Sequence, residues 1–143
     1  MVDELIAKLP PTTRSAGQAR DVVTEALRSW SARSDLIADI VLATSELVTN
    51  AVEHGRGEVM VDIQLVGGRV LLRVGDRGPG APVAMSPDAG SPRSRGLTIV
   101  AALSVDWGWQ LAPEGKVVWA EFAFEPAAVP SRTSQTSRTS TNR

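Results

Sequence analysis

Between Ala19 and Trp30 the apolar positions Ala19, Val22, Val23, Ala26, Leu27 and Trp30 recur every three or four residues, the spacing that lines one face of an α-helix. This predicts a helix from about Ser15 to Ala32, opened by Ser15 and Gln18 at capping-box spacing. A second helix is predicted from Asp35 to about His54, with Ser34 or Asp35 as its front cap and Gly55 as its stop. It carries Leu36, Ile37, Ile40, Val41, Leu42, Leu47, Val48, Ala51 and Val52, enough apolar surface to be packed on most sides. From Val59 the period changes to two. Val59, Val61, Ile63 and Leu65 alternate, the turn Gly67-Gly68 follows, and Val70 to Val74 continue, which together predict a β-hairpin. Ahead of the first helix, Leu5 to Leu9 predict an edge strand, ended by Pro10 and Pro11, which cannot donate ladder hydrogen bonds.

Gly75 to Gly96 is rich in Gly, Pro, Ser, Asp and Arg, and its prolines exclude regular structure. A loop this long inside a compact domain is uncommon unless it is a functional lid or disordered. A short helix from Gly96 to about Leu103 is predicted next. Two strands follow, Val105 to Leu111 and Lys116 to Phe124, joined by Ala112-Pro113-Glu114-Gly115. Two helices, hairpin, loop, helix and hairpin predict an α+β, two-layer sandwich, with helices on one face of a mostly antiparallel mixed sheet.

At 143 residues and 43% apolar content the chain suits one globular domain, expected at 1–125. The segment 126–143 has few apolar residues and no acidic ones, carries Arg132, Arg138 and Arg143, and is expected to be a disordered tail. A formal charge of −1 argues against bulk electrostatic binding to nucleic acid or an anionic membrane. No run approaches the roughly 18 to 20 apolar residues a membrane helix needs, and the acidic start lacks the basic opening of a secretory signal. The absence of cysteine excludes disulfides, thiolate metal sites and a cysteine nucleophile, and suits a reducing compartment. The expected location is the cytoplasm.

Four groups of residues could carry chemistry. Glu46 and Asn50, spaced i, i+4, share one face of the second helix. In so apolar a segment a carboxylate and an amide need partners, which a hydrated divalent cation with phosphate oxygens would supply; the plainer reading is a solvated stripe with Asp39, Ala43 and Glu53. His54, the one histidine, ends the helix, where an imidazolium complements the helix dipole. Asp76-Arg77-Gly78-Pro79-Gly80 follows a strand, so the carboxylate emerges at a sheet end where glycines let a ligand approach, although such a string also makes ordinary turns. Ser94-Arg95-Gly96-Leu97 stands where loop becomes helix; its N–H groups would face a bound phosphate, with Arg93 and Arg95 adding positive charge or forming a solvated basic loop. Trp107 and Trp109 share a strand face, suited to core packing or to a protein-binding surface.

Taken together, a Glu-X-X-X-Asn helix, a strand ending in Asp-X-Gly-X-Gly and a loop ending in Arg-Gly-Leu resemble the GHKL superfamily of ATPases. That superfamily groups gyrase, heat-shock chaperone ATPases, histidine kinases and mismatch-repair proteins. SELVTNAVEHG (45–55), DRGPG (76–80), SRGLTIV (94–100), DWGW and GKVVWAEF more narrowly resemble its anti-sigma-factor kinase branch, over about Leu9 to Phe124. The resemblance implies a Bergerat-type ATP-binding fold and ATP with Mg²⁺ as cofactors. It implies Asn50 as metal ligand and Glu46 as general base. Asp76 would accept from the adenine amino group, Gly78 and Gly80 would make room for the base, and Arg95, Gly96 and Leu97 would lie on the phosphates. Related sequences often place an adenine-contacting threonine where this chain has Val117.

The function so implied is a serine/threonine protein kinase that phosphorylates a STAS-type anti-sigma-factor antagonist and binds a sigma factor. A homodimer is compatible with the resemblance, although no stripe of residues marks an interface. The rival readings are a non-catalytic, ATP-responsive binding module and the catalytic piece of a histidine kinase, which lacks a phosphoacceptor helix here.

Overall fold

The computed structural model describes residues 3–78 and 95–128. The elements follow in the order β1 (Glu4–Leu9), α1 (Ser15–Ser29), α2 (Ser34–His54), β2 (Val59–Val66), β3 (Arg69–Asp76), α3 (Arg95–Leu103), β4 (Asp106–Ala112) and β5 (Gly115–Ala123). The five strands form one sheet in the order β1-β2-β3-β5-β4. All four pairings are antiparallel, so the sheet expected to be mixed contains no parallel pair among the described residues. β1 is an edge strand, as its prolines require. Gly67 and Gly68 both have positive φ (60° and 76°), the backbone a two-residue hairpin turn between β2 and β3 demands.

The three helices cover one face. Alternate positions of β2, β3 and β5 point to them: Val59, Val61, Ile63, Val70, Leu72, Val74, Val118, Ala120 and Phe122 are all buried. Leu27, Ile40 and Val48 meet them from the helices. Trp107 and Trp109, on the same face of β4, pack against this core, while Trp119 lies on the other face, over Gly108. Burial of α2 is narrower than its composition suggests. Leu36, Ile40, Ala43, Leu47, Val48 and Ala51 make one buried stripe, Ile37, Val41 and Val52 are half-buried, and Leu42 is 43% exposed.

Helix ends depart from expectation for local reasons. α1 has Arg14 rather than Ser15 at its N-cap; Ser15 lies inside the helix, buried, and its hydroxyl donates to the Pro10 carbonyl. α1 stops at Ser29 instead of Ala32 because Ser31 turns left-handed, at φ 58°. Ala32 N–H then donates to Leu27 O and Ser31 N–H to Arg28 O (both 3.0 Å), the paired bonds of a Schellman motif. Arg33 precedes α2 without a side-chain cap, and Asp35 accepts from its neighbour Leu36 N–H (2.9 Å).

Beyond β5 the chain crosses back to this junction. Pro126 bridges to Ala32, Ala127 N–H donates to Ser31 O (2.7 Å), and Arg33 donates to the Glu125 carboxylate (3.1 Å) while its N–H donates to the Glu125 carbonyl (2.9 Å). The chain is therefore still attached two residues past the expected boundary at 125. Residues 129–143 of the expected tail lie outside the described residues.

The sheet's outer face carries one polar cluster. Asp62 is fully buried there; its Oδ2 accepts from both Arg73 Nε (2.9 Å) and Nη2 and from Gln64 Nε2 (3.1 Å), and Gln64 also donates to Glu4 (2.9 Å). Oδ1 of Asp62 has no hydrogen-bond partner among the described residues. A hydrogen bond with Asp62, then repulsion from its charge, holds the Glu4 carboxyl above its ordinary pKa.

Candidate functional site

β3 ends on the helix-facing side with Asp76, directly opposite Lys116 at the start of β5. Strand alternation points both side chains inward, and both are buried, at 5% and 6% exposure. Lys116 Nζ donates to Asp76 Oδ1 at 3.1 Å, and the Gly78 N–H donates to the same oxygen at 2.6 Å. An ion pair withdrawn this far from water needs close geometry and added hydrogen bonds, of which the Gly78 N–H supplies one.

Glycines wall this pair. Gly55, the C-cap of α2, has φ −92° and ψ −163°, a backbone open to any residue, so the need for glycine lies in space. A Cβ on it would stand 2.4 Å from Asp76 Cγ and 2.6 Å from both Asp76 Oδ1 and Ala51 O. At Gly78 a Cβ would fall 2.9 Å from Asp76 Oδ1 and 3.2 Å from Lys116 Nζ. Gly115, at φ 153°, would put one 1.9 Å from the Asp76 carbonyl oxygen. A cleft at this end of the sheet is lined by Lys8, Met60 and Val117 of the outer face as well as by Asp76, Arg77 and Lys116, and among the described residues none of α2 or α3 lines it.

The last turn of α2 therefore rests on Asp76. Measured back from Gly55, Asn50 lies about 7.5 Å and Glu46 about 13.5 Å along the helix axis. Both side chains are half-buried, so neither is sealed in the core as an apolar α2 suggested. Of the stripe proposed as their solvated alternative, Asp39 and Glu53 are exposed but Ala43 is fully buried. Arg20 Nη1 donates to Ser45 Oγ (3.1 Å), tying α1 to the start of this motif. His54 closes the helix, half-buried, its Nε2 without a hydrogen-bond partner among the described residues and 3.9 Å from Glu53. No cluster of three or more His, Asp and Glu that could hold a metal occurs among the described residues.

Arg95 and Gly96 form the first turn of α3, where N–H groups are free of intrahelical partners. Leu97 is 4% exposed and belongs to the core, which leaves its backbone as the part able to meet a ligand. Gly80 and the loop expected as a lid from 75 to 96, apart from residues 75–78, 95 and 96, lie outside the described residues.

Two contributors escaped the sequence reading. Val117 pairs with Gly75, and its Cγ2 would lie 3.4 Å from a Cβ there, beside Met60 on the outer face. It is thus turned away from Asp76; the residue across from that carboxylate is Lys116. The signal was the inward parity of Lys116 with Val118, Ala120 and Phe122. The sequence marks Gly55 as a helix stop, and nothing local reveals its contact with a residue 21 positions on.

Against known proteins, the sequence profile of the histidine kinase-like ATPase domain matches residues 9–122. A crystal structure of the RsbU and RsbW domains of Rv1364c from Mycobacterium tuberculosis is similar, with a TM-score of 0.70 and 29% identity over 88% of this chain. The match takes in 34% of that longer chain. No curated protein sequence matches. No helix among the described residues is long and apolar enough to cross a membrane. With a family match running through all three helices, all but the first strand and both ends of the Asp76–Lys116 pair, the chain belongs to the histidine kinase-like ATPase domain family.

Proposed function

We propose that this chain binds Mg-ATP along α2 and transfers the γ-phosphoryl group to a serine or threonine hydroxyl of a partner protein. The carrying observation is the buried Asp76 carboxylate, walled by glycines at the foot of the helix that bears Asn50 and Glu46. In this reading adenine lies at Asp76, with the phosphates toward Asn50, Glu46 and the first turn of α3. Gly80, the last residue of the string Asp-X-Gly-X-Gly, is assigned to the base with Gly78 on the resemblance alone.

The donor set fits magnesium. Mg²⁺ keeps several waters and binds through few protein groups plus substrate phosphates, so a lone half-buried Asn50 amide oxygen suffices where a dedicated carboxylate cage is lacking. The bound ion would neutralise phosphate charge. Glu46 accepts the proton of the attacking hydroxyl as its oxygen bonds to the γ-phosphorus; the bond from that phosphorus to the β,γ-bridging oxygen breaks and ADP leaves. The partner is a STAS-type anti-sigma-factor antagonist, with a sigma factor as the second, competing partner, and the setting is the cytoplasm. The likeness to the RsbW-containing structure supports this choice.

Calorimetric titration of Mg-ATP into wild type, Asp76→Asn and Asn50→Ala tests the site, with melting followed in parallel because Asp76→Asn also unpairs buried Lys116. Loss of binding in folded variants is expected. Transfer to an antagonist protein should fall by about 10²–10⁴-fold in Glu46→Ala. Transfer at the wild-type rate in that variant contradicts the base assignment, and binding without any transfer points to the ATP-responsive module.

A further inference from the structure

The family reading uses Asp76 as an acceptor and leaves Lys116 without a task. A lysine ammonium carries three N–H donors. Among the described residues its one acceptor is Asp76 Oδ1, although the side chain is only 6% exposed. Donors left unmatched in so buried a place are costly. The acceptor side is equally incomplete. Both donors to Asp76, Gly78 N–H and Lys116 Nζ, arrive on Oδ1, which leaves Oδ2 without a donor among the described residues. Among the described residues, a carboxylate oxygen with no donor thus stands beside ammonium protons with no acceptor, with Oδ1 and Nζ 3.1 Å apart and glycines at 55, 78 and 115 for walls.

Adenine presents the complement of that arrangement on its Watson–Crick edge, an exocyclic amine next to the ring acceptor N1. Resting on the ATP reading above, we propose that Lys116 is a base-reading residue: Asp76 accepts from the adenine amine while Lys116 donates to N1. The two form one recognition unit in which the ion pair sets the position of both groups. The ammonium takes the part that a hydroxyl plays in the threonine-bearing relatives, and from a residue on the inward face instead of Val117.

The test uses 1-deaza-ATP, in which N1 is replaced by C–H and the amine is kept. With Mg²⁺ present, ATP and 1-deaza-ATP are titrated calorimetrically into the full chain as wild type, Lys116→Met and Lys116→Arg, each checked by circular dichroism melting. Wild type should prefer ATP by about ten- to hundred-fold, the worth of one hydrogen bond to a charged group. Lys116→Met should lose that preference and bind both analogues as wild type binds 1-deaza-ATP; Lys116→Arg, which keeps a donor, should retain a preference. Equal binding of the two nucleotides by wild type overturns the assignment of Lys116 while leaving the ATP site standing, and this comparison needs no variant to fold. Tighter ATP binding by Lys116→Met also overturns it, since the lysine would then be a plug. Wild type that binds neither nucleotide overturns the ATP reading and this one together.

Discussion

Gly55→Ala puts one methyl group into the contact between α2 and Asp76. The backbone at 55 already lies in a region alanine adopts, so the cost is steric. The new carbon would meet Asp76 Cγ at 2.4 Å and the Ala51 carbonyl oxygen at 2.6 Å, where ordinary contacts need about 3.5 Å or more. Ala51 O is held by the Gly55 N–H at 2.8 Å, so relief needs residue 55 to shift off that carbonyl and Asp76 to move as well. Overpacking of this kind costs about 1–3 kcal/mol. Near this chain length that lowers Tm by about 4–12 °C. Moving Asp76 also loosens its bond to Lys116, so ATP affinity should fall further than stability alone explains. Thermal melting and Mg-ATP titration of Gly55→Ala, with Gly67→Ala as comparison, measure both effects. Gly67 has nothing within 4 Å of a Cβ and φ 60°, so its variant pays about 1 kcal/mol of backbone strain and should bind nucleotide normally. A Gly55→Ala protein that melts and binds like wild type refutes the argument that this glycine makes room for Asp76.

Other outcomes follow from single features. Ser31→Gly removes a left-handed serine from the end of α1 and should raise stability by about 0.5–1 kcal/mol in urea denaturation; a loss would show that the serine side chain contributes more than its strain costs. Phe122→Ala empties the largest fully buried side chain and should cost about 3–5 kcal/mol, read from the same curves, with a cost under about 1 kcal/mol contradicting the packing described. Glu4 has a folded pKa raised above its ordinary 4.5, so its protonation favours the folded chain. That contribution is complete below the unfolded pKa and is lost as pH rises through the raised folded value. The urea midpoint of wild type, taken relative to Glu4→Gln, should therefore decline as pH climbs through the carboxylate range, and parallel profiles would sink the Glu4–Asp62 coupling.

Local periodicity carried most of the fold. The switch from period 3.6 to 2 at Val59, the Gly67-Gly68 turn and the Pro113-Glu114 turn each depend on residues within a few positions, and each element appears within three residues of its expected bounds. Errors arose where a distant partner decides. Ser15 fits a capping box by spacing, but its hydroxyl donates to Pro10, so the helix begins one residue earlier in register. The end of α1 depends on Ser31 accepting a conformation that its composition does not announce. Of the candidate site residues, Glu46, Asn50 and Asp76 stand out as polar residues at ends or in apolar runs. Lys116 and Gly55 do not, because their meaning lies in contacts with Asp76 made across 40 and 21 residues. The sheet register supplies the first contact and helix–sheet packing the second.

The strap at 125–127 gives the chain a direction of mechanical resistance. A force applied at the C terminus meets the Ala127–Ser31 bond and the Arg33–Glu125 grip before it reaches β5. Those attachments sit at the entrance of α2, 92 residues away along the chain. Tension on whatever follows residue 128 is thus delivered first to the start of the helix that bears Glu46 and Asn50, while β5 and Lys116 remain shielded until the strap lets go.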